Sequence, residues 1–433
     1  MTFQRNNVTK YFYLLIIVLL FIIGFLIREN IAGAAETDFL KFTWPAVLSF
    51  KRDFAYSIIN YGKFGEGSTP LFHILNAYLN PFTFSQIAFQ ASITLISFIS
   101  FLVLAGILVE KFKIKKIDAL IYSSILLLLP FYRASAFWGL TENLGWLFLI
   151  LSLKFYVKFE ASKNKNEKTY IFLICLFSSM ALYTRPYLIF FPVFLILTFI
   201  LNKNYKSLIQ FSITYLLFSL PGLFLLNLWG GTVYLGIGDN KIDFIQDYHH
   251  PKFILKNLII FPTIFLFYFL PFKLIEFFNK QFYFTKNKIL LFFYFFIFLL
   301  ICLFYYLDFF EYLKLTKLGG GSVLKISQFL FQENLIIFLL ISFLGIVTII
   351  ELAILSKKNL ILLLSIVAIY CTPKFIYQEY FEPLLILLFF LLFDLRVNLK
   401  KTFQDNKFQI LLLVYFLGYF ASSYYYRYYL EAI

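Results

Sequence analysis

The feature that most limits what this chain can fold into is a succession of apolar runs matched to the thickness of a bilayer. Residues 11–27 read YFYLLIIVLLFIIGFLI, without a single charge. About 20 such residues, rising ~1.5 Å each along an α-helix, cross the ~30 Å hydrocarbon layer. Similar stretches recur to the C-terminus. They are continuous rather than alternating, which argues for helices and against a closed barrel. Composition agrees: 61% of the 433 residues are hydrophobic and 14% are charged, where soluble domains carry about 25% charged residues. The reading is an all-α, polytopic membrane protein. About thirteen spans are expected, at 10–28, 84–109, 118–131, 140–157, 169–184, 187–201, 207–227, 255–271, 289–307, 334–355, 359–371, 382–394 and 408–424. They are read as a single transmembrane domain over residues 1–433.

The net charge of +15 would point to nucleic acid in a soluble protein. Here the basic residues collect in alternate loops, as in KFKIKK at 111–116, KFEASKNKNEK at 158–168 and RVNLKK at 396–401. Lys and Arg mark cytoplasmic loops, so the expected topology is N-terminus inside and C-terminus outside, with no nucleic-acid partner. The first span reads as an uncleaved signal anchor. The bias to Phe, Lys, Ile and Asn suggests an AT-rich bacterial genome, and hence a bacterial inner membrane. Cys175, Cys302 and Cys371 are far apart in sequence and are read as packing residues; no metal site is expected. The long outside loops are 29–83, 228–254 and 308–333. The first carries Pro45, Gly62, Gly65, Gly67 and Pro70 and has room for short helices on the membrane surface.

Glu36 and Asp38, in the stretch AETDFLK (35–41), lie just past the end of the first span. Loop carboxylates are usually only solvated charges. Held near the interface, though, one can act as general base on a sugar hydroxyl while an activated lipid-linked donor sits in the bilayer. Inversion needs one such base on the face opposite the leaving group. Arg185, at the break before Pro186, is the most telling cation, because ionisable groups at membrane depth are rarely idle. Its guanidinium would clamp a lipid phosphate or snorkel to headgroups. Arg133 and Arg427 read as interfacial.

These residues, with four further stretches in order along the chain, resemble the GT-C glycosyltransferases, polytopic enzymes that use polyprenyl-phosphate sugars. The segments LPFYRASAFWGLTENLGWLFLIL (129–151), LYTRPYLIFFPVF (182–194), LWGGTVYLGIGDN (228–240) and TPKFIYQEYFEPLLIL (372–387) are similar to the dolichyl-phosphoglucose-dependent α-1,2-glucosyltransferase family of N-glycan assembly. That family has an adjacent Asp-Glu pair followed by His in its first loop, where this chain has Glu36-Thr37-Asp38 and Lys41. The resemblance implies transfer of a hexose, with glucose one candidate, from a polyprenyl phosphate to a lipid-linked or surface glycan on the extracytoplasmic face. It implies a catalytic base at Asp38 or Glu36 and donor-phosphate binding by Arg185, His249 and His250. Site lining by Glu142, Gly230, Gly231, Asp239, Lys374 and Glu379 follows in the same way. Apart from the bilayer, the implied partners are the lipid-linked donor and the glycan acceptor; no cofactor is needed. Two other classes fit the composition: a flippase or transporter of lipid-linked sugars, with charges inside spans, and a surface-polysaccharide polymerase or ligase, with its chemistry in a large later loop.

Overall fold

The computed structural model describes residues 2–64, 69–162, 166–229, 251–278, 288–306, 313, 319–332, 334–373 and 375–430. All regular structure among them is helical. The chain forms two compact units, one of residues 1–244 with 399–433 and the other of residues 245–398.

The first unit begins with α1 (Thr2–Leu26). Its C-terminus closes with a Schellman cap: the amide of Glu29 donates to Gly24 O at 2.9 Å and that of Arg28 to Phe25 O at 3.1 Å. Arg28 takes the left-handed conformation this cap requires, at φ 56°. Next come α2 (Ala35–Asp38), a π-helical turn at Phe39–Thr43, α3 (Trp44–Arg52), α4 (Phe54–Ile59) and α5 (Leu71–Leu79). The first long loop is thus a folded layer of short helices, as its punctuation predicts. Asp53 caps α4 by accepting from the Tyr56 amide at 2.9 Å.

Long helices follow: α6 (Gln86–Phe112), α9 (Glu142–Ala161), α10 (Glu167–Leu182), α11 (Phe190–Leu201) and α12 (Tyr205–Leu228), with α7 (Lys116–Ser123) and α8 (Pro130–Phe137) between α6 and α9. α9 packs against α6 and α10, and α10 against α12. The second unit contains α13 (Pro251–Phe278), α14 (Lys288–Tyr306), α15 (Gly321–Phe331), α16 (Ile336–Leu355), α17 (Lys357–Tyr370) and α18 (Leu384–Leu391). Here α16 packs on α13. A Cβ on Gly345 of α16 would lie 2.2 Å from the carbonyl oxygen of Pro262, so the two backbones meet where only glycine fits. The chain returns to the first unit with α19 (Leu399–Thr402) and α20 (Asn406–Tyr425). This return is fastened to α7: Tyr122 donates to Thr402 O at 3.3 Å, and Asp118 takes Lys10 at 2.6 Å and Gln409 at 3.0 Å.

The expected thirteen spans are not found. Among the described residues, six helices are long and apolar enough to cross a membrane, or seven if one bent pair counts as a span. The reasons are local. The 118–131 segment belongs to a pair bent by 74° around Pro130, since proline cannot continue the incoming hydrogen-bond ladder. The 382–394 segment yields only the eight-residue α18, and 187–201 gives a short helix. α9 carries Lys154, Lys158 and Glu160 among its apolar residues. What stands is a helical chain with several membrane-spanning helices.

Candidate functional site

α2 positions Glu36 and Asp38 immediately before the π-helical turn. Such single-turn insertions are rare and often fall at functional sites. The next residue, Phe39, is fully buried and stacks on Phe89 of α6, with ring centroids 6.0 Å apart. Trp44 and Phe72 close on the same ring at 5.4 and 6.3 Å. This aromatic cluster pins the acidic turn to α6. It leaves Glu36 exposed and Asp38 half-buried, so Asp38 is the more constrained of the two.

Arg185 and Glu142 are brought together. Pro186 forces Arg185 into extended backbone (φ −140°, ψ 111°), turning its side chain out of the α10 register and onto the N-terminus of α9. There the guanidinium forms an ion pair with the Glu142 carboxylate. Gly145, one turn into α9, lies beside the pair: a Cβ there would be in ordinary van der Waals contact with Arg185 Cγ and Thr184 Cγ2 at 3.5 Å. Thr141 and Asn143 flank the pair and are buried. Asn143 donates to Tyr132 O at 3.1 Å and also to Ser97 Oγ. Four buried polar atoms are left over here: Thr141 Oγ1, Glu142 Oε2, Asn143 Oδ1 and Arg185 Nε have no hydrogen-bond partner among the described residues. Buried polar groups are nearly always satisfied, so this concentration marks a place built to meet something polar.

The break is braced from behind. α12 contains Pro221. The Tyr183 hydroxyl donates to Phe218 O at 2.8 Å and accepts from the Gly222 amide at 2.8 Å. It thereby stands between two groups that would pair in an unbroken helix. The backbone carbonyl of Tyr183 accepts from Thr69, so the first loop is tied to the same break.

Several expected site residues fall elsewhere. Gly230, Gly231, Asp239, His249, His250 and Lys374 lie outside the described residues. Glu379 is half-buried in a short 3-10 turn (Gln378–Phe381) of the second unit. Glu382, three residues on, is buried and accepts from Tyr268 at 2.7 Å. His73 is fully buried with the Tyr61 hydroxyl 3.0 Å from its Nδ1, and Tyr61 stacks on Trp229 at 5.8 Å.

Sequence reasoning missed one pair entirely. Arg133, expected at the interface, is 0% exposed and grips Glu29 through two hydrogen bonds of 2.7 Å. Two further donors go to Leu127 O at 2.8 Å and Leu20 O at 3.0 Å. The signal was present: an arginine inside the apolar stretch 119–140 has to find a partner.

No group of three or more metal-ligating side chains occurs among the described residues. Comparison with protein-family models, curated proteins and solved structures finds no match to this chain.

Proposed function

We propose that this protein is a membrane glycosyltransferase that moves a hexose from a polyprenyl-phosphate sugar to a glycan acceptor at the membrane surface. The observation that carries the reading is the polar shelf at the start of α9, where Thr141, Glu142, Asn143 and Arg185 keep hydrogen-bonding capacity unused among the described residues. A guanidinium has five donors. With one nitrogen on Glu142, Arg185 keeps others for the phosphate oxygens of a lipid-linked donor, and Glu142 fixes its orientation. Such a pairing would stabilise the phosphate as charge builds on it.

In this scheme the acceptor hydroxyl attacks the anomeric carbon. The bond from that carbon to the phosphate oxygen breaks, and polyprenyl phosphate leaves with the electron pair. The hydroxyl proton passes to the carboxylate of Asp38, with Glu36 as the second candidate. The leaving group keeps its lipid, so it remains in the membrane plane.

The transporter reading calls for charges well inside spans. The network of buried Glu276 and Glu351 with the partly exposed Lys273 and Arg396 instead lies near the C-terminal ends of α13 and α16, at Phe278 and Leu355. It does not favour transport.

The test is sugar transfer by the purified chain in liposomes, with radiolabelled polyprenyl-phosphate glucose and a crude lipid extract as acceptor. Transfer lost in Asp38→Asn with donor binding retained supports the base. Loss in Glu36→Gln alone moves the base by two residues. A wild type that transfers nothing from any polyprenyl-phosphate hexose, yet carries lipid-linked sugar between leaflets, overturns the enzyme reading.

A further inference from the structure

A cavity of about 150 Å³ opens where α1 ends and α6 begins, lined by Phe25, Leu26, Arg28, Ile87, Gln90, Phe137 and Trp138. α1 and α6 both contribute candidate spans, Val8–Leu26 and Gln86–Phe112. The last turn of one and the first turn of the other share this cavity, so it sits at the level of a membrane surface.

Its chemistry divides in two. Phe25, Leu26, Ile87 and Phe137 form apolar walls, and Leu26 and Ile87 are largely exposed, facing what would be acyl chains. The polar part is Arg28 and Gln90. Arg28 is exposed and lies over the Trp138 ring at 5.6 Å. Among the described residues it has no carboxylate partner, because the neighbouring Glu29 is consumed by Arg133. Gln90 is 3% exposed, and its Nε2 has no hydrogen-bond partner among the described residues. A cation with free donors and a buried amide with an unused donor thus line one cavity, beneath an apolar lip.

The platform is rigid. Trp138 donates its indole N–H to Glu29 O at 3.1 Å, and Glu29 is itself locked by Arg133. Gly139, at φ 67°, lets the chain turn behind Phe89 and Gln90: a Cβ there would lie 2.9 Å from the Phe89 ring.

The geometry points to a binding site for the phosphate of a membrane lipid, with the phosphate between Arg28 and Gln90 and the chains running out past Leu26 and Ile87. This site involves neither Arg185 nor Glu142 and does not rest on the transfer reading. Charge-assisted bonds to phosphate are the strong ones, and the buried, unused donor of Gln90 adds selectivity that a surface arginine lacks.

The test is equilibrium binding to the purified full chain in detergent. Three probes are used: dioctanoyl phosphatidic acid, dioctanoylglycerol and inorganic phosphate. Saturable binding of the phosphatidic acid is expected, with dioctanoylglycerol at least about 10-fold weaker. Arg28→Gln should weaken phosphatidic acid by about 10-fold. Gln90→Glu, which keeps the shape and places a negative charge against the phosphate, should do the same. Arg52→Gln, an exposed cation elsewhere in this unit, should bind like wild type. Equal binding of both lipids overturns the proposal, as does wild-type affinity in both site variants. If inorganic phosphate competes at the same concentration as the lipid, the site takes free anions and the lipid assignment fails.

Discussion

Arg133 holds both carboxylate oxygens of Glu29 at 2.7 Å, from a residue 104 positions away. Three aromatic rings surround the guanidinium, Phe420 at 4.5 Å, Phe137 at 5.2 Å and Phe21 at 5.6 Å. This contact joins α1, α8 and α20, the two ends of the first unit and its middle. Removing one partner would leave a buried charge uncompensated, which typically costs ~3–5 kcal/mol. Arg133→Met and Glu29→Leu should each lower stability by about that much in denaturant unfolding of the purified protein. The double variant should lose markedly less than the sum. Additive losses would show that the two side chains are not coupled.

Gly24 shows how closely that pair is enclosed. A Cβ there would lie 2.4 Å from Arg133 Nη2 and 2.8 Å from Glu29 Oε2. Gly24→Ala keeps every charge and adds one methyl group. It should destabilise by ~1–3 kcal/mol, as overpacking does, despite alanine's better helix propensity. Gly106, also within a long helix, has open space around its position. Gly106→Ala should be neutral or stabilising, and comparing the two melting midpoints separates crowding from propensity.

The helical, membrane-spanning character of the chain was legible because it follows from composition and run length, which need no tertiary information. The break at Arg185 was legible too, because the proline after it restricts its backbone locally. The number of spans was not. Hydropathy sees that 118–131 is apolar but not that Pro130 turns the chain by 74° there. Nor does the sequence say that the apolar 382–394 run forms only eight helical residues, all buried in the second unit. Nothing near Glu29 in sequence points to its partner, which lies 104 positions away. Glu382 follows the charged Glu379 in sequence, yet its carboxylate turns in to Tyr268.

In the second unit, α13 and α16 rely on contact between small groups. Ser342 donates to Ile259 O at 2.7 Å, and Gly345 lies against the Pro262 carbonyl. Small residues and interhelical hydrogen bonds are what membrane helices use in place of a hydrophobic driving force. Gly345→Ala should push the helices apart and cost ~1–3 kcal/mol. Leu344→Ala, one residue earlier and 54% exposed, should be tolerated. Unfolding in detergent, followed by circular dichroism, checks both. Equal effects would mean that α13 and α16 are not packed through Gly345.

The Arg185–Glu142 pair is the sharpest place to separate function from architecture. Its side chains are 18% and 11% exposed, so it is less enclosed than Arg133–Glu29, and a substitution that keeps a positive charge opposite Glu142 strands no buried carboxylate. Arg185→Lys keeps the charge but loses the planar fork that meets a phosphate with two parallel bonds. If Arg185 binds the donor, transfer should fall by about 10²-fold, in the range seen for loss of one preorganised donor, while the melting midpoint barely moves. Glu142→Gln should lower transfer less, since it removes the residue that orients the guanidinium and leaves the guanidinium in place. If the pair only ties α9 to the break after α10, the two variants should instead lose stability together, and activity should track the folded fraction. Measuring melting midpoint and initial transfer rate on the same preparations distinguishes these outcomes, because a donor-binding arginine moves the rate without the midpoint and a structural one moves both.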